Sequence, residues 1–247
     1  MDRPQVKRVA PAAPVTPIDW KKPDATVLES AQAGDKPILI FFAGESEEQN
    51  SAGYMNEPAI KELVDAKAIF VKVPYTSDRE KAPSTDSPVP VSRLLSDNPT
   101  RDYDVRAYPT FVVADKFGNE YFRVQSKKPQ AKELEALFEQ VAGKAEDATK
   151  KLQKHLDAAT KAWGQKDRAN ALKSVMRVFK EGYVGLSPVE PSVRLYNEIL
   201  EDARAEIKRL REANDVKGLK ALKAVLRGTE AEKDVDEALA GPSNTSK

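Results

Sequence analysis

Five consecutive apolar residues, Ile38-Leu39-Ile40-Phe41-Phe42, run directly into the polar turn Ala43-Gly44-Glu45-Ser46-Glu47-Glu48-Gln49-Asn50. A strand sends alternate side chains to opposite faces, so a run that is apolar at every position must be covered on both. Lys36 to Ala43 therefore reads as a central strand of a sheet sandwiched between helices. Its end opens into a turn rich in carboxylates.

The neighbouring segments supply the layers. Asp24 to Ala33 predicts a short helix with Asp24 as N-cap and Gly34 as its stop. Asn56-Glu57-Pro58 starts a second, whose apolar stripe is Ile60, Leu63 and Val64. Ala68 to Pro74 is a second strand, and a strand-helix-strand order of this length implies a parallel pair. Residues 76–96 form a polar, proline-containing insertion with a short helix expected around Val91 to Leu95. Because it follows a parallel strand, it should emerge at the same end as the Ser46–Asn50 turn. Tyr108 to Ala114 and Glu120 to Val124 then read as an antiparallel hairpin, with Gly118 supplying the positive φ of its turn. Pro129 opens a helix through Leu134, Leu137, Phe138 and Val141.

Composition closes off several functions. Cysteine is absent from all 247 residues, which excludes disulfides, thiolate nucleophiles and Cys-ligated zinc. The 40 Lys+Arg against 39 Asp+Glu leave no global field to attract nucleic acid or an anionic membrane. Lys127-Lys128 lacks the interleaved aromatics of a nucleic-acid surface. No apolar run reaches the roughly 18–20 residues of a membrane span. Residues 1–23 read as a Pro/Ala-rich extended arm, pinned at its end by Trp20. Arg3 to Pro17 fits either the tether of an exported, periplasmic protein after signal-peptide removal or the extended start of a cytoplasmic one.

The order β-α-β-insertion-β-β-α, with Val105-Arg106-Ala107-Tyr108-Pro109-Thr110-Phe111 at its hinge, resembles the thioredoxin-like superfamily. Members of that family carry Val/Ile-x-x-x-Pro-Thr and an apolar residue before the third core strand. Asn98-Pro99 and Tyr103-Asp104-Val105-Arg106 are similar to the family's approach to that proline. The likeness covers about residues 24–142 and implies an α/β thioredoxin-like domain, a central mixed sheet with helices on both faces. It also implies a cis Tyr108–Pro109 bond and a backbone edge there that pairs with an extended peptide, flanked by Tyr108 and Thr110. Pro109 otherwise only shapes the sheet, with Tyr108 packed under the insertion.

The departures from that family decide the chemistry. Sliding its pattern along the turn puts Glu47 and Asn50 at the two redox cysteines and Ser46 at the preceding tryptophan. Phe41 takes the place of the buried acid that handles protons. Nucleophile, resolving thiol and proton acceptor are all replaced, so thiol-disulfide exchange has no residues to run on.

The same turn offers other candidates. Glu45, Glu47 and Glu48 can serve as an acid/base or cation site only if the backbone gathers them; otherwise they are solvated charges at a helix start. Asn50, Ser51 and Tyr54 surround the turn with neutral polar groups, without a Gly-rich phosphate loop. His155, the single histidine, falls on a helix outside this unit and reads as a packing or surface residue. No catalytic residue, metal ligand or cofactor is assigned. The candidate binding residues are Ser46, Glu47, Asn50, Tyr54, Tyr108, Pro109 and Thr110.

Residues 143–240 read as an all-α helical-hairpin domain and 241–247 as a disordered tail. A first helix carries Leu152, Leu156, Ala159 and Trp163. Asp167 caps a second, with Ala169, Leu172, Val175, Met176 and Phe179 on its apolar side. Gly182, Gly185 and Pro188 break the chain; a third helix runs from Pro191 to Ala213, a fourth from Val216 to Leu226, and Thr229 caps a fifth. Ala158 to Leu172 is similar to a tetratricopeptide hairpin, and Ala203 to Leu222 echoes it. Such helices form either a binding groove or a bundle that shields the sheet. The expected function is a redox-inactive thioredoxin-fold module that binds a protein or peptide. The alternatives are a thiol-independent enzyme reusing the turn and a structural subunit of an assembly.

Overall fold

A computed structural model describes residues 17–78, 87–125 and 128–240. Most of the expected arm, part of the 76–96 insertion, Lys127 and the tail lie outside the described residues. Four strands, β1 (Ile38–Phe42), β2 (Ile69–Val73), β3 (Thr110–Ala114) and β4 (Glu120–Gln125), form one mixed sheet in the order β2-β1-β3-β4. β1 pairs parallel with β2 and antiparallel with β3, and β4 pairs antiparallel with β3.

The five residues of β1 are all fully buried, because each face has its own core. Leu39 and Phe41 join Phe70, Phe111, Val113 and Val124 under α3 (Pro58–Ala66) and the start of α5 (Ala131–Gly164). Ile38, Ile40 and Phe42 join Val71, Val73 and Val112 under α1 (Ala25–Gly34), together with Leu94, Tyr103 and Val105. The period-two division makes this a thioredoxin-like α/β sandwich.

Local corrections have local causes. Asp24 caps α1 as expected, but the left-handed residue that ends it is Asp35, at φ 50°, one position beyond Gly34. Glu57 is the N-cap of α3, with Pro58 in its first turn. Val91 to Leu95 makes a turn rather than a helix. Leu94 is drawn into the core while Val91 remains 74% exposed. The helix in this region is α4 (Pro99–Asp102), capped by the Asn98 side chain on the Arg101 amide at 3.0 Å.

The insertion leaves β2 at the same end as the Ser46–Asn50 turn, as expected, because β1 and β2 are parallel and Tyr75 meets Tyr108, but its later described part runs to the opposite end. Val89 to Leu94 sits at the β3–β4 hairpin end: Leu94 packs beside Gly118, and Val91 and Arg93 face Tyr183 and Val184. At the other edge, Lys21 bridges β2, with its amide on the Phe70 carbonyl at 2.9 Å, and Trp20 packs on Phe41 and Phe70 at 5.3 and 5.5 Å. The end of the arm is thus pinned as expected.

The helices drawn separately after Pro129 and after Lys144 are one: α5 runs unbroken for 34 residues, about 50 Å. Leu134, Phe138 and Val141 pack on the sheet, and Ala148, Leu152, Ala159 and Ala162 pack on the helical region. α6 (Arg168–Lys180), α7 (Val189–Glu212), α8 (Val216–Leu226) and α9 (Ala231–Ala240) complete an all-α extension. Ala169 is exposed and Ala171 takes its place in the α6 core. Thr229 does not cap α9; its hydroxyl donates back to the Leu226 carbonyl at 2.7 Å and closes α8.

The α5–α6 and α7–α8 turns share one geometry. Lys166 and Asn214 are left-handed, and the following Asp167 and Asp215 cap the next helix on Asn170 and Gly218. The two caps are 48 residues apart, against about 34 for a tetratricopeptide repeat. That repeat's likeness is therefore confined to the turn.

The extension is locked to the sheet at the β3–β4 hairpin. Asn119 accepts from the Val184 amide and donates to the Val184 carbonyl, both at 2.9 Å, as a neighbouring strand would. Tyr121 stacks on Tyr183 at 5.8 Å. Gly185, at φ 71°, lies against Phe117 so closely that a Cβ there would come within 2.2 Å of the ring.

Candidate functional site

The turn after β1 is built from its own backbone and one side chain. Ser46 caps the single turn α2 (Glu47–Ser51), with Oγ accepting from the Gln49 amide at 3.3 Å. Ala52, at φ 46°, ends it. Glu45, Ser46, Glu47, Glu48 and Asn50 are exposed, whereas Gln49 folds inward. Gly44 permits this: a Cβ there would lie 2.3 Å from Gln49 Oε1 and 2.6 Å from Gln49 Cβ. Gln49 Nε2 then donates to the Tyr108 carbonyl at 3.4 Å, a long hydrogen bond that joins the turn to the segment before β3.

The Tyr108–Pro109 peptide is cis. Tyr108 and Pro109 are half-buried, and the Tyr108 ring meets Tyr75 edge-on at 5.3 Å. Thr110 is only 1% exposed and its hydroxyl donates to the Ala107 carbonyl at 2.6 Å, so it closes the approach to β3. Tyr54 belongs to the opposite face of the sheet, edge-on to Phe111 at 6.4 Å with Lys128 Nζ 5.2 Å from its ring centre. Its buried hydroxyl has no hydrogen-bond partner, and desolvation pushes its pKa up to about 12.

Gln49 thus ties the turn that carries Ser46, Glu47 and Asn50 to Tyr108, whereas Thr110 is buried at the start of β3 and Tyr54 packs on the opposite face of the sheet. Gln49, Gly44 and Tyr75 were not singled out from the sequence. The available signal was Gly44, a glycine immediately after a strand, where close approach of another group is the usual reason for it.

The chemistry open to this arrangement is narrow. Phe41 is fully buried and stacks on Phe111 at 4.9 Å, so hydrocarbon fills this core position and no titratable group stands there. The three glutamates of the turn point into water and do not form a gathered carboxylate pair. Among the described residues no group of three or more His, Asp or Glu side chains is placed to hold a metal ion, and no helix is long and apolar enough to cross a membrane. His155 is half-buried on α5.

No family model matches this chain, and no curated protein matches it. A solved structure described as DsbH oxidoreductase aligns at 17% identity and a TM-score of 0.36, over 55% of this chain and 92% of its own. A likeness at that level leaves the fold assignment resting on this chain's own strand order and register. On those grounds, with no cysteine present, the chain is a thioredoxin-like α/β domain without thiol-disulfide chemistry, continued by an all-α extension.

Proposed function

We propose that this chain is a redox-inactive thioredoxin-fold module that binds an extended segment of a protein or peptide beside Tyr108 and Pro109. The observation that carries the proposal is the Gln49 bridge. It fastens the turn to the Tyr108 carbonyl and supports the reading in which Ser46, Glu47 and Asn50 act together with the Tyr75–Tyr108 aromatic pair as one prepared surface. Preorganisation of this kind lowers the ordering cost of binding. Glu47 and Glu48 give the rim a negative charge, which favours a segment with a basic residue.

Residues 24–142 then form the binding unit and residues 143–240 an all-α extension that holds it in place. The enzyme alternative needs a buried carboxylate at the turn, and Glu45, Glu47 and Glu48 are exposed. The assembly alternative needs a broad apolar patch; the large hydrophobic side chains exposed among the described residues are Val91, Leu95 and Val216.

The test is site-specific photo-crosslinking, with a benzophenone side chain at Asn50 and, as a control, at the exposed Lys220 of α8. The proposal expects a defined segment trapped from position 50 and not from position 220. Equal trapping at both positions, or none at position 50, would overturn it.

A further inference from the structure

The arm before the sheet has the chemistry of a ligand for the surface beside Tyr108. Arg8-Val9-Ala10-Pro11-Ala12-Ala13-Pro14-Val15-Thr16-Pro17 places a proline at every third position, with Arg8 one step before the first. Polyproline II repeats every three residues, so Arg8, Pro11, Pro14 and Pro17 share one face of such a segment. Proline also removes the amide donors at positions 11, 14 and 17, which makes helix and sheet ladders poor alternatives for this run. Segments with this repeat dock against grooves lined by aromatic side chains. A charged residue at one end sets the register against opposite charge.

The turn supplies both counterparts. The half-buried Tyr75 and Tyr108 rings meet edge-on at 5.3 Å and present aromatic surface. Glu45, Glu47 and Glu48 are exposed and form no ion pair among the described residues. Between Lys36 and Lys61 the sequence has no Lys or Arg, so the turn's own segment does not neutralise them. Residues 1–16 carry Arg3, Lys7 and Arg8 against Asp2 alone. The arm also joins the domain close to the turn. Ile18 is buried and its amide donates to Asn56 Oδ1 at 3.0 Å; Asn56 ends the short 3₁₀ turn Gly53–Asn56, which follows α2 with only Ala52 between. Pro17, just before that anchor, is exposed. From Pro17 back to Arg8 a polyproline II segment spans about 28 Å, against about 7.5 Å for the five residues of α2. The run is long enough to cross the turn. A short tether holds a ligand at a local concentration of the order of millimolar, so weak contacts suffice to seat it.

Taking the surface beside Tyr108 as the binding site proposed above, we infer that the Arg8–Pro17 run occupies it within the same chain. Its prolines lie against the tyrosine pair and Arg8 meets the carboxylates of the turn, so an external segment binds by displacing it. The test is photo-crosslinking of the purified full chain with a benzophenone side chain at Asn50 and no partner added. A product of monomer mass, linked within residues 8–17, is expected. Arg8→Glu touches none of the described contacts of the fold and should lose most of that product. Arg8→Glu combined with Glu47→Lys and Glu48→Lys should regain it, with circular dichroism checking that each variant is folded. No link to residues 8–17, or a yield that Arg8→Glu leaves unchanged, would overturn the inference. So would a link found only in dimers, which would make a second copy the occupant. If position 50 then still traps an external segment, the binding surface stands without the arm; if it traps neither, both readings fail.

Discussion

Asn119→Ala removes three hydrogen bonds from a residue that is 5% exposed: the exchange of two with the Val184 backbone and one to Asp115 Oδ2 at 2.8 Å. The Asn119 backbone amide keeps its bond to Asp115 Oδ1. Two neutral hydrogen bonds contribute about 1 kcal/mol each and one to a carboxylate about 1.5–3. Val184 is half-buried, so water can take over part of its backbone pairing and bring the expected loss to about 3 kcal/mol. The chain has two tryptophans, Trp20 on the sheet and Trp163 on the helical part of α5, so Trp20→Phe and Trp163→Phe backgrounds report the two regions separately. In urea, Asn119→Ala should lower the midpoint seen by both probes, because the hairpin is where the regions lock. A loss below about 0.5 kcal/mol, the ordinary range of surface substitutions, would refute this role. So would a Trp163 transition that does not move.

Other consequences follow from the same contacts. Gly185→Ala places a methyl group 2.2 Å from the Phe117 ring at φ 71°, and should cost at least about 2 kcal/mol in the same urea assay. Burial raises the Asp115 pKa above 3.8 despite its hydrogen bonds, so the native state binds this proton more tightly than the unfolded chain. Its contribution is therefore complete below about 3.8 and is lost as pH rises through the raised native value. The stability of wild type minus that of Asp115→Asn should fall across that window and then level off, as measured by urea titration at stepped pH. Gly44→Ala drives Gln49 off the Tyr108 carbonyl; stability should drop by about 1–3 kcal/mol and affinity for a segment trapped at position 50 should fall with it.

Much of the sheet was legible because its signal is local. Ile38 to Phe42 specifies a doubly covered strand by residue type alone, and Asp24, Gly118 and Asp167 mark their caps and turn by chemistry that needs no partner. The errors lie where distant residues decide. The chain near Leu94 makes a turn because Leu94 is drawn into the core beside Tyr103 and Gly118. α5 continues through Ala142 and Gly143 because its two ends serve different cores, a change of buried face that resembles a break in the sequence. At the site, Ser46, Glu47 and Asn50 were legible as a polar turn. Gln49 was not, since its role depends on a carbonyl 59 residues away. Thr110 is a candidate through the resemblance, as a flank of the groove, and Tyr54 as a polar group near the turn, but Thr110 is buried in β3 and Tyr54 packs on the opposite face of the sheet.

The central claim is that the turn and the segment before β3 act as one binding surface without thiol chemistry. Its most direct measurement is the affinity of the segment trapped at position 50, made as a synthetic peptide and titrated calorimetrically against wild type and Tyr108→Ala. Binding should be at least about tenfold weaker for Tyr108→Ala, with Lys220→Ala indistinguishable from wild type. Equal affinity for wild type and Tyr108→Ala would contradict the claim.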